Sequence, residues 1–110
     1  MYAQTRRHPR IETSHPCFVE RLGDQPLEMF SQTRTLGTGG CAFRSEHALG
    51  YRSLTKISLS VAGRVFNADG RVAYERPMPG GLEVGVEFLR ITPEDRIHLR
   101  QIVEGRKNGA

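Results

Sequence analysis

A glycine-dense turn between two strand-like segments constrains the fold of this chain more than any other feature. A polar, alternating segment ends at Arg34, and the sequence then runs through Thr35-Leu36-Gly37-Thr38-Gly39-Gly40 into the apolar segment Cys41-Ala42-Phe43. Glycines leave backbone N–H groups accessible, so such a turn suits a bound anion or a flat ring. The alternative is a tight corner between two strands of a barrel that binds nothing.

The chain before residue 90 alternates between β-rich segments and turn residues, which indicates an antiparallel β-protein. Alternating apolar and polar residues predict half-buried strands with one face toward a core. We predict strands over residues 17–22, 27–34, 41–43, 54–67, 71–75 and 83–88, with Gly63 as a bulge or turn and Asp69-Gly70 as a hairpin dipeptide.

The last part of the chain changes to a helical period. Thr92 is a typical capping residue, Pro93 suits the first helical position, and two acids follow. Leu99, Ile102 and Val103 fall on one stripe, so this helix should lie across the sheet, ending at Gly105. The sequence therefore predicts a mainly β fold, a small antiparallel six-stranded β-barrel with one C-terminal α-helix. We expect a flexible basic segment over residues 1–12, the folded domain over 13–104 and a disordered tail over 105–110.

The net charge of +4 comes from the two ends of the chain. Arg6, Arg7 and Arg10 lie at the amino end and Arg106 and Lys107 at the other, while residues 11–104 carry eleven basic and twelve acidic residues. Because no basic stripe crosses the body, we expect neither DNA nor RNA as a partner. Nor does any apolar run approach the roughly 20 residues of a bilayer span, so we expect no membrane insertion and a cytoplasmic protein.

The sequence gives little support for catalysis or metal binding. It lacks a Gly-x-Ser-x-Gly elbow and a Walker-type phosphate loop, and we predict no catalytic residues. Cys17 and Cys41 lie in apolar segments and should be buried, free cysteines. Neither has the paired spacing of a structural zinc site, so we predict no metal ligands.

Two short motifs resemble the PilZ domain family, whose members bind the bacterial second messenger cyclic di-GMP. The first is the Arg-x-x-x-Arg element formed by Arg6 and Arg10, and the second is the glycine turn, at the place of the family's Asp/Asn-x-Ser-x-x-Gly motif. The resemblance continues through Gly70-Arg71-Val72-Ala73-Tyr74, Gly85-Val86-Glu87-Phe88 and the final helix. It spans about Arg6 to Val103 and implies a PilZ-type split barrel.

The resemblance implies a ligand site for cyclic di-GMP and no further cofactor. Arg6 and Arg10 would contact phosphate and stack on guanine, with Arg7 as a third arginine. In the turn motif, Thr35 takes the place of the acid, Gly37 takes the place of the serine and Gly40 keeps the final glycine. The full predicted ligand set is Arg6, Arg7, Arg10, Thr35, Gly37, Gly39 and Gly40.

The two changed turn positions leave two interpretations open. A threonine accepts one hydrogen bond but lacks the charge that makes a carboxylate a strong partner for guanine N–H groups. One interpretation is a non-enzymatic receptor that binds cyclic di-GMP and signals through an unidentified effector protein. The other is a degenerate PilZ interaction module that binds no nucleotide.

Overall fold

The computed structural model describes residues 10–109, which form a closed antiparallel barrel and one helix. The elements are β1 Arg10–Glu12, β2 Pro16–Arg21, β3 Leu27–Gly37, β4 Gly40–Ser45, β5 Leu54–Val61, β6 Arg64–Met78, β7 Gly81–Ile91 and α1 Pro93–Gly109. Six strands close the barrel in the order β3–β2–β5–β6–β7–β4, because β4 pairs with both β7 and β3. The short strand β1 adds to β3. The predicted six-stranded barrel with one C-terminal helix is confirmed.

Alternate residues of each strand fill the barrel, as the period-two pattern requires. On β7, Val84 and Val86 are fully buried, as is Val19 on β2. Both cysteines are free and buried, as predicted. The largest fully buried side chains include Leu36, Phe43, Ile57, Leu59, Phe66, Val72 and Leu99.

Helix α1 begins as the sequence predicts and closes one end of the barrel. Thr92 Oγ1 accepts a hydrogen bond from Asp95 N at 3.1 Å, which caps the first turn. Leu99 and Val103 are buried, and the helix contacts β1 and β3. No helix among the described residues is long and apolar enough to cross a membrane.

The predicted helix end at Gly105 is wrong, because α1 continues to Gly109. A β-carbon at Gly105 would meet no atom within 4 Å. An exposed glycine lowers helix stability by about 1 kcal/mol but does not by itself end a helix. At the other end, Arg10–Glu12 form strand β1, although we expected residues 1–12 to be flexible; residues 1–9 lie outside the described residues.

The predicted hairpin at Asp69-Gly70 is also wrong. Both residues lie inside β6, at a register shift against β7. A β-carbon at Gly70 would stand 2.5 Å from Val86 Cγ1, so the glycine permits a close approach of two strands within the sheet. The turn between β5 and β6 is instead Ala62–Gly63, where both residues have positive φ, as in a type I′ hairpin turn.

Candidate functional site

The glycine-dense segment forms a two-residue turn, Thr38-Gly39, between β3 and β4. Both turn carbonyls are held from outside the hairpin: Phe88 N donates to Gly39 O at 2.8 Å, and Arg96 Nη1 donates to Thr38 O at 3.2 Å. Strand β7 and helix α1 therefore fix the turn from two sides. This turn is preorganised by the fold.

Gly40 is the most tightly packed residue at this turn. A β-carbon there would lie 2.3 Å from Val86 O and 2.8 Å from Arg10 Nη2. The backbone contact is with a neighbouring strand that cannot move freely, so glycine is required for space. Backbone conformation does not require glycine here, because Gly40 does not have a positive φ. The positive-φ glycines among residues 10–109 are Gly23, Gly50, Gly63, Gly80 and Gly81.

Arg10 is brought to the turn by strand β1, in which it pairs with Gly37. Its guanidinium lies beside Gly40, and its charge acts on two further groups, Cys41 and Tyr74. Of the predicted ligand residues, Arg10, Thr35, Gly37, Gly39 and Gly40 therefore lie together at one end of β1, β3 and β4. Arg6 and Arg7 lie outside the described residues.

Thr35 carries a buried hydroxyl that the described part of the chain leaves unsatisfied. It lies opposite Ala42 on β4 and Glu12 on β1, and its Oγ1 has no hydrogen-bond partner among the described residues. An unsatisfied buried polar group costs about 1–3 kcal/mol. Thr35 also lines a cavity of about 520 Å³ with Arg34, Arg76 and Glu83. A ligand N–H group reaching this hydroxyl would recover that cost.

Beside Gly40, the outward side of β4, β6 and β7 forms a face that we call the candidate face, built from Gly40, Ala42, Tyr74, Glu83 and Gly85. The register shift between Val72 and Tyr74 sets Tyr74 opposite Gly85. The Tyr74 ring occupies the space that a side chain at position 85 would need, because a β-carbon there would lie 2.0 Å from Tyr74 Cε2. The glycine thus allows an aromatic ring to lie flat on the sheet.

A buried carboxylate holds this ring in place. Tyr74 OH donates to Glu83 Oε2 at 2.8 Å, Arg34 Nε donates to Glu83 Oε1 at 2.9 Å, and Arg76 Nη2 donates to Oε2 at 2.9 Å. The Glu83 side chain is only 7% exposed. Burial acts to raise the pKa of Glu83, but the hydrogen bonds from Tyr74 and Arg34 and the charge of Arg76 outweigh it and lower the pKa. Burial and the bond to Glu83 raise the pKa of Tyr74.

The candidate face offers cations and flat surfaces rather than reactive groups. Arg10 stands at one end, and Arg71 pairs with Glu87 at 3.0 Å next to it along β6 and β7. Burial raises the pKa of Cys17 and Cys41 to about 12, so both remain protonated thiols at neutral pH. An aromatic ring, a glycine floor and guanidinium groups suit a ligand with planar bases and phosphates.

Sequence reasoning missed Tyr74, Glu83, Arg34 and Arg76 as members of the site. The mistaken hairpin at Asp69-Gly70 divided β6 and hid the side of the strand on which Tyr74 lies. A usable signal was present on β7, where Glu83 and Gly85 alternate with buried valines. A glycine at an outward position of a strand often marks a place where a ligand or another chain segment approaches the sheet closely.

The sequence matches the family model of the PilZ domain over residues 4–105. This chain belongs to the PilZ domain family. PilZ domains are receptors that bind cyclic di-GMP rather than enzymes. Among curated proteins, none matches this sequence.

Solved structures of PilZ proteins share the fold of this chain. The PilZ domain of YcgR from Escherichia coli, solved with c-di-GMP, has a TM-score of 0.71 and 20% identity, covering 94% of this chain and 92% of that one. MotI (DgrA) of Bacillus subtilis, an inhibitor of motility, has a TM-score of 0.81 and 15% identity over 94% of this chain. This chain spans about half of MotI, 52% of its length. The PilZ domain of CeSA from a cellulose-synthesizing bacterium has a TM-score of 0.66 and 17% identity, with 91% and 99% of the two chains covered.

Proposed function

We propose that this chain is a cytoplasmic receptor that binds cyclic di-GMP on the candidate face and signals through a protein partner. The observation that carries the proposal is the Arg10 guanidinium beside Gly40. These two positions match the second arginine and the final glycine of the family's two motifs. In the folded chain the Arg10 guanidinium lies against Gly40, although the two residues are thirty positions apart in the sequence.

Each residue of the proposed site then has a distinct part in binding. Arg10, with Arg6 from the same motif, contacts phosphate and stacks on a guanine, because a guanidinium is both a flat fork and a cation. Gly40 and Gly85 keep the floor low enough for close approach. The buried Thr35 hydroxyl accepts a hydrogen bond from a guanine N–H. Tyr74, held by Glu83, provides a fixed aromatic surface beside Arg10.

The changed turn lowers the expected affinity. Thr35 in place of an acid loses a charged hydrogen bond, worth about 1.5–3 kcal/mol, and Gly37 in place of serine loses a neutral one of about 1 kcal/mol. Together these losses correspond to about a hundredfold or more in Kd. The arginine half of the site does not depend on the turn, so binding should persist at reduced strength.

Titration calorimetry of the full chain with cyclic di-GMP, GMP and cyclic di-AMP tests the proposal. We expect a saturable heat with cyclic di-GMP alone, its loss in Arg10→Ala, and no change in Arg100→Ala, which removes an exposed arginine from helix α1. A chain that gives no heat at ligand concentrations of about 500 µM, close to the millimolar end of the affinity scale, would overturn the receptor assignment. The interaction module without nucleotide would then be the remaining function.

A further inference from the structure

The first half of β3 has one open edge. Residues Leu27–Gln32 pair with β2, whereas pairing with β4 begins only at Thr33. Thr33 N donates to His15 O, on the side that β2 also occupies. Backbone N–H groups alternate between the two sides of a strand. The N–H groups of Glu28 and Phe30 therefore face the open side.

The separation of β4 from β3 is built into the fold by a short side-chain turn. Ser45 Oγ accepts from His47 N at 3.0 Å and donates to His47 O at 2.5 Å, which bends the chain away from β3. The Arg44 guanidinium donates to Pro79 O and Gly80 O at 3.0 Å each. Arg44 O accepts from the Ser31 hydroxyl at 2.5 Å, so a side chain rather than a backbone pair joins the two strands at the inner end of the open edge. A groove of about 520 Å³ remains between β3 and this bend, bordered by Phe30 and His47.

The outward side chains beside this groove are left largely to solvent. Phe30 is 83% exposed and faces Phe18 across the β2–β3 pair, with ring centroids 4.8 Å apart. In the next outward pair Glu28 lies directly opposite Glu20, and like charges in that position repel each other. An exposed aromatic ring, opposed carboxylates and unpaired strand donors thus share one surface.

We propose that the open edge of β3, Leu27–Ser31, docks an extended basic segment of a partner protein, which adds to β3 as a further strand. Only extended backbone can satisfy the N–H groups of Glu28 and Phe30 in sequence. The carboxylates of Glu28 and Glu46, which both line the groove, favour lysine and arginine side chains on that segment. Phe30 offers its ring to the same cations.

Docking at the open edge of β3 does not require bound nucleotide, but this edge lies next to the candidate face. Gln32 and Arg44 line both the groove and the cavity beside Thr35. A strand that pairs with Leu27–Ser31 would therefore end next to the candidate face. The groove is where a partner would contact the receptor close to its ligand.

Two NMR measurements on the isotope-labelled full chain test this inference. In the free protein, hydrogen exchange should be fast at the amides of Glu28 and Phe30 and slow at Met29, which faces β2. In a titration, the blocked peptide Lys-Val-Arg-Val-Lys should shift the amides of Leu27–Ser31 and His47, and the blocked peptide Glu-Val-Glu-Val-Glu should not. Slow exchange at Glu28 and Phe30, or no shift in this segment at about 2 mM basic peptide, would overturn the proposal.

Three variants at the open edge, with one control elsewhere, separate backbone pairing from side-chain contact. Phe30→Pro removes a donor on the open side, where proline is tolerated in edge strands, and should abolish the peptide shifts. Phe30→Ala keeps the donor and should retain part of the binding, while Val65→Ala, at another exposed position on β6, should retain all of it. Glu28→Lys should weaken the basic peptide by about tenfold, the scale of one charged contact. Unchanged binding in both Phe30→Pro and Glu28→Lys would contradict strand addition, and Glu28→Lys alone decides if the proline variant does not fold.

Discussion

The two outward-facing surfaces of this barrel are built in opposite ways. On the candidate face, a buried carboxylate is shared by Arg34, Arg76 and Tyr74, and the glycines beneath it leave no space for a side chain. On the β2–β3 side, Phe30 is 83% exposed and half of β3 has an open edge. On the first surface the charged side chains Arg34, Arg76 and Glu83 are bound to one another, whereas on the second a strand edge and an aromatic ring are open to solvent.

The difference separates two kinds of binding. A small, doubly charged ligand gains affinity from a surface that is already in place, because little ordering is left to do on binding. A partner protein instead supplies the missing hydrogen bonds of an open strand edge. The comparison therefore predicts that changes on the candidate face cost stability, whereas changes along the open edge of β3 do not.

Gly40→Ala should have the largest effect. Its β-carbon would stand 2.3 Å from Val86 O, so two strands must move apart, at a cost of about 3 kcal/mol in the free energy of unfolding. Urea unfolding of both proteins measures this. Gly105→Ala, whose β-carbon meets nothing within 4 Å, is the matched control and should stabilise the chain by up to about 1 kcal/mol. An alanine at position 40 that leaves stability unchanged would remove the packing argument for the candidate face.

Glu83→Gln should cost about 1–2 kcal/mol, because Tyr74, Arg34 and Arg76 lose a charged acceptor while the two arginines stay partly solvated. The matched control is Glu87→Gln, whose pair with Arg71 is more exposed and should cost about 0.5 kcal/mol or less.

Comparison with Glu83→Gln also predicts how stability depends on pH. The folded chain lowers the pKa of Glu83. The contribution of this carboxylate to the free energy of unfolding is therefore fully present above the ordinary carboxyl pKa of 4.5, and it is lost as pH falls through the lower folded value. The stability gap between the natural chain and Glu83→Gln should therefore be widest at neutral pH and close in acid. A gap that widens below pH 4.5 would mean that the pKa of Glu83 is raised in the folded chain.

Restoring the family's turn with Thr35→Asp and Gly37→Ser should raise the affinity for cyclic di-GMP by about tenfold or more. Gly37 is outside the positive-φ glycines of the described residues, so serine should be tolerated by the backbone. Calorimetry measures the affinity, and a melting curve checks the fold. The same pair of changes combined with Arg10→Ala should bind nothing; binding in that background would show that the arginine is not required.

Phe30→Ala should have the smallest effect on the isolated chain. The ring is mostly exposed, and its contact with Phe18 is worth about 0.5 kcal/mol at such a site. Urea unfolding should place this variant close to the natural chain. A loss comparable with that of Gly40→Ala would mean that the β2–β3 surface is part of the core rather than a free surface.

The fold was largely predictable, and the composition of the candidate site was not. Helix α1 was signalled by Thr92 and Pro93, whose capping chemistry is local and needs no knowledge of the rest of the chain. Gly70 was misread because the same residue type serves a hairpin turn and a close strand contact, and only the position of Val86 distinguishes them. The partners of Glu83 come from two strands, Arg34 from β3 and Tyr74 and Arg76 from β6, and no spacing in the sequence brings these strands to β7.

The most direct test of the central claim is an NMR titration of the labelled chain with cyclic di-GMP, read at both surfaces in one experiment. We expect the largest amide shifts at Thr35, Gly39, Gly40 and Ala42, with further shifts at Tyr74 and Gly85, and much smaller ones at Leu27–Phe30. Shifts concentrated along the open edge of β3, or an unchanged spectrum at saturating ligand, would contradict the assignment of the candidate face as the nucleotide site.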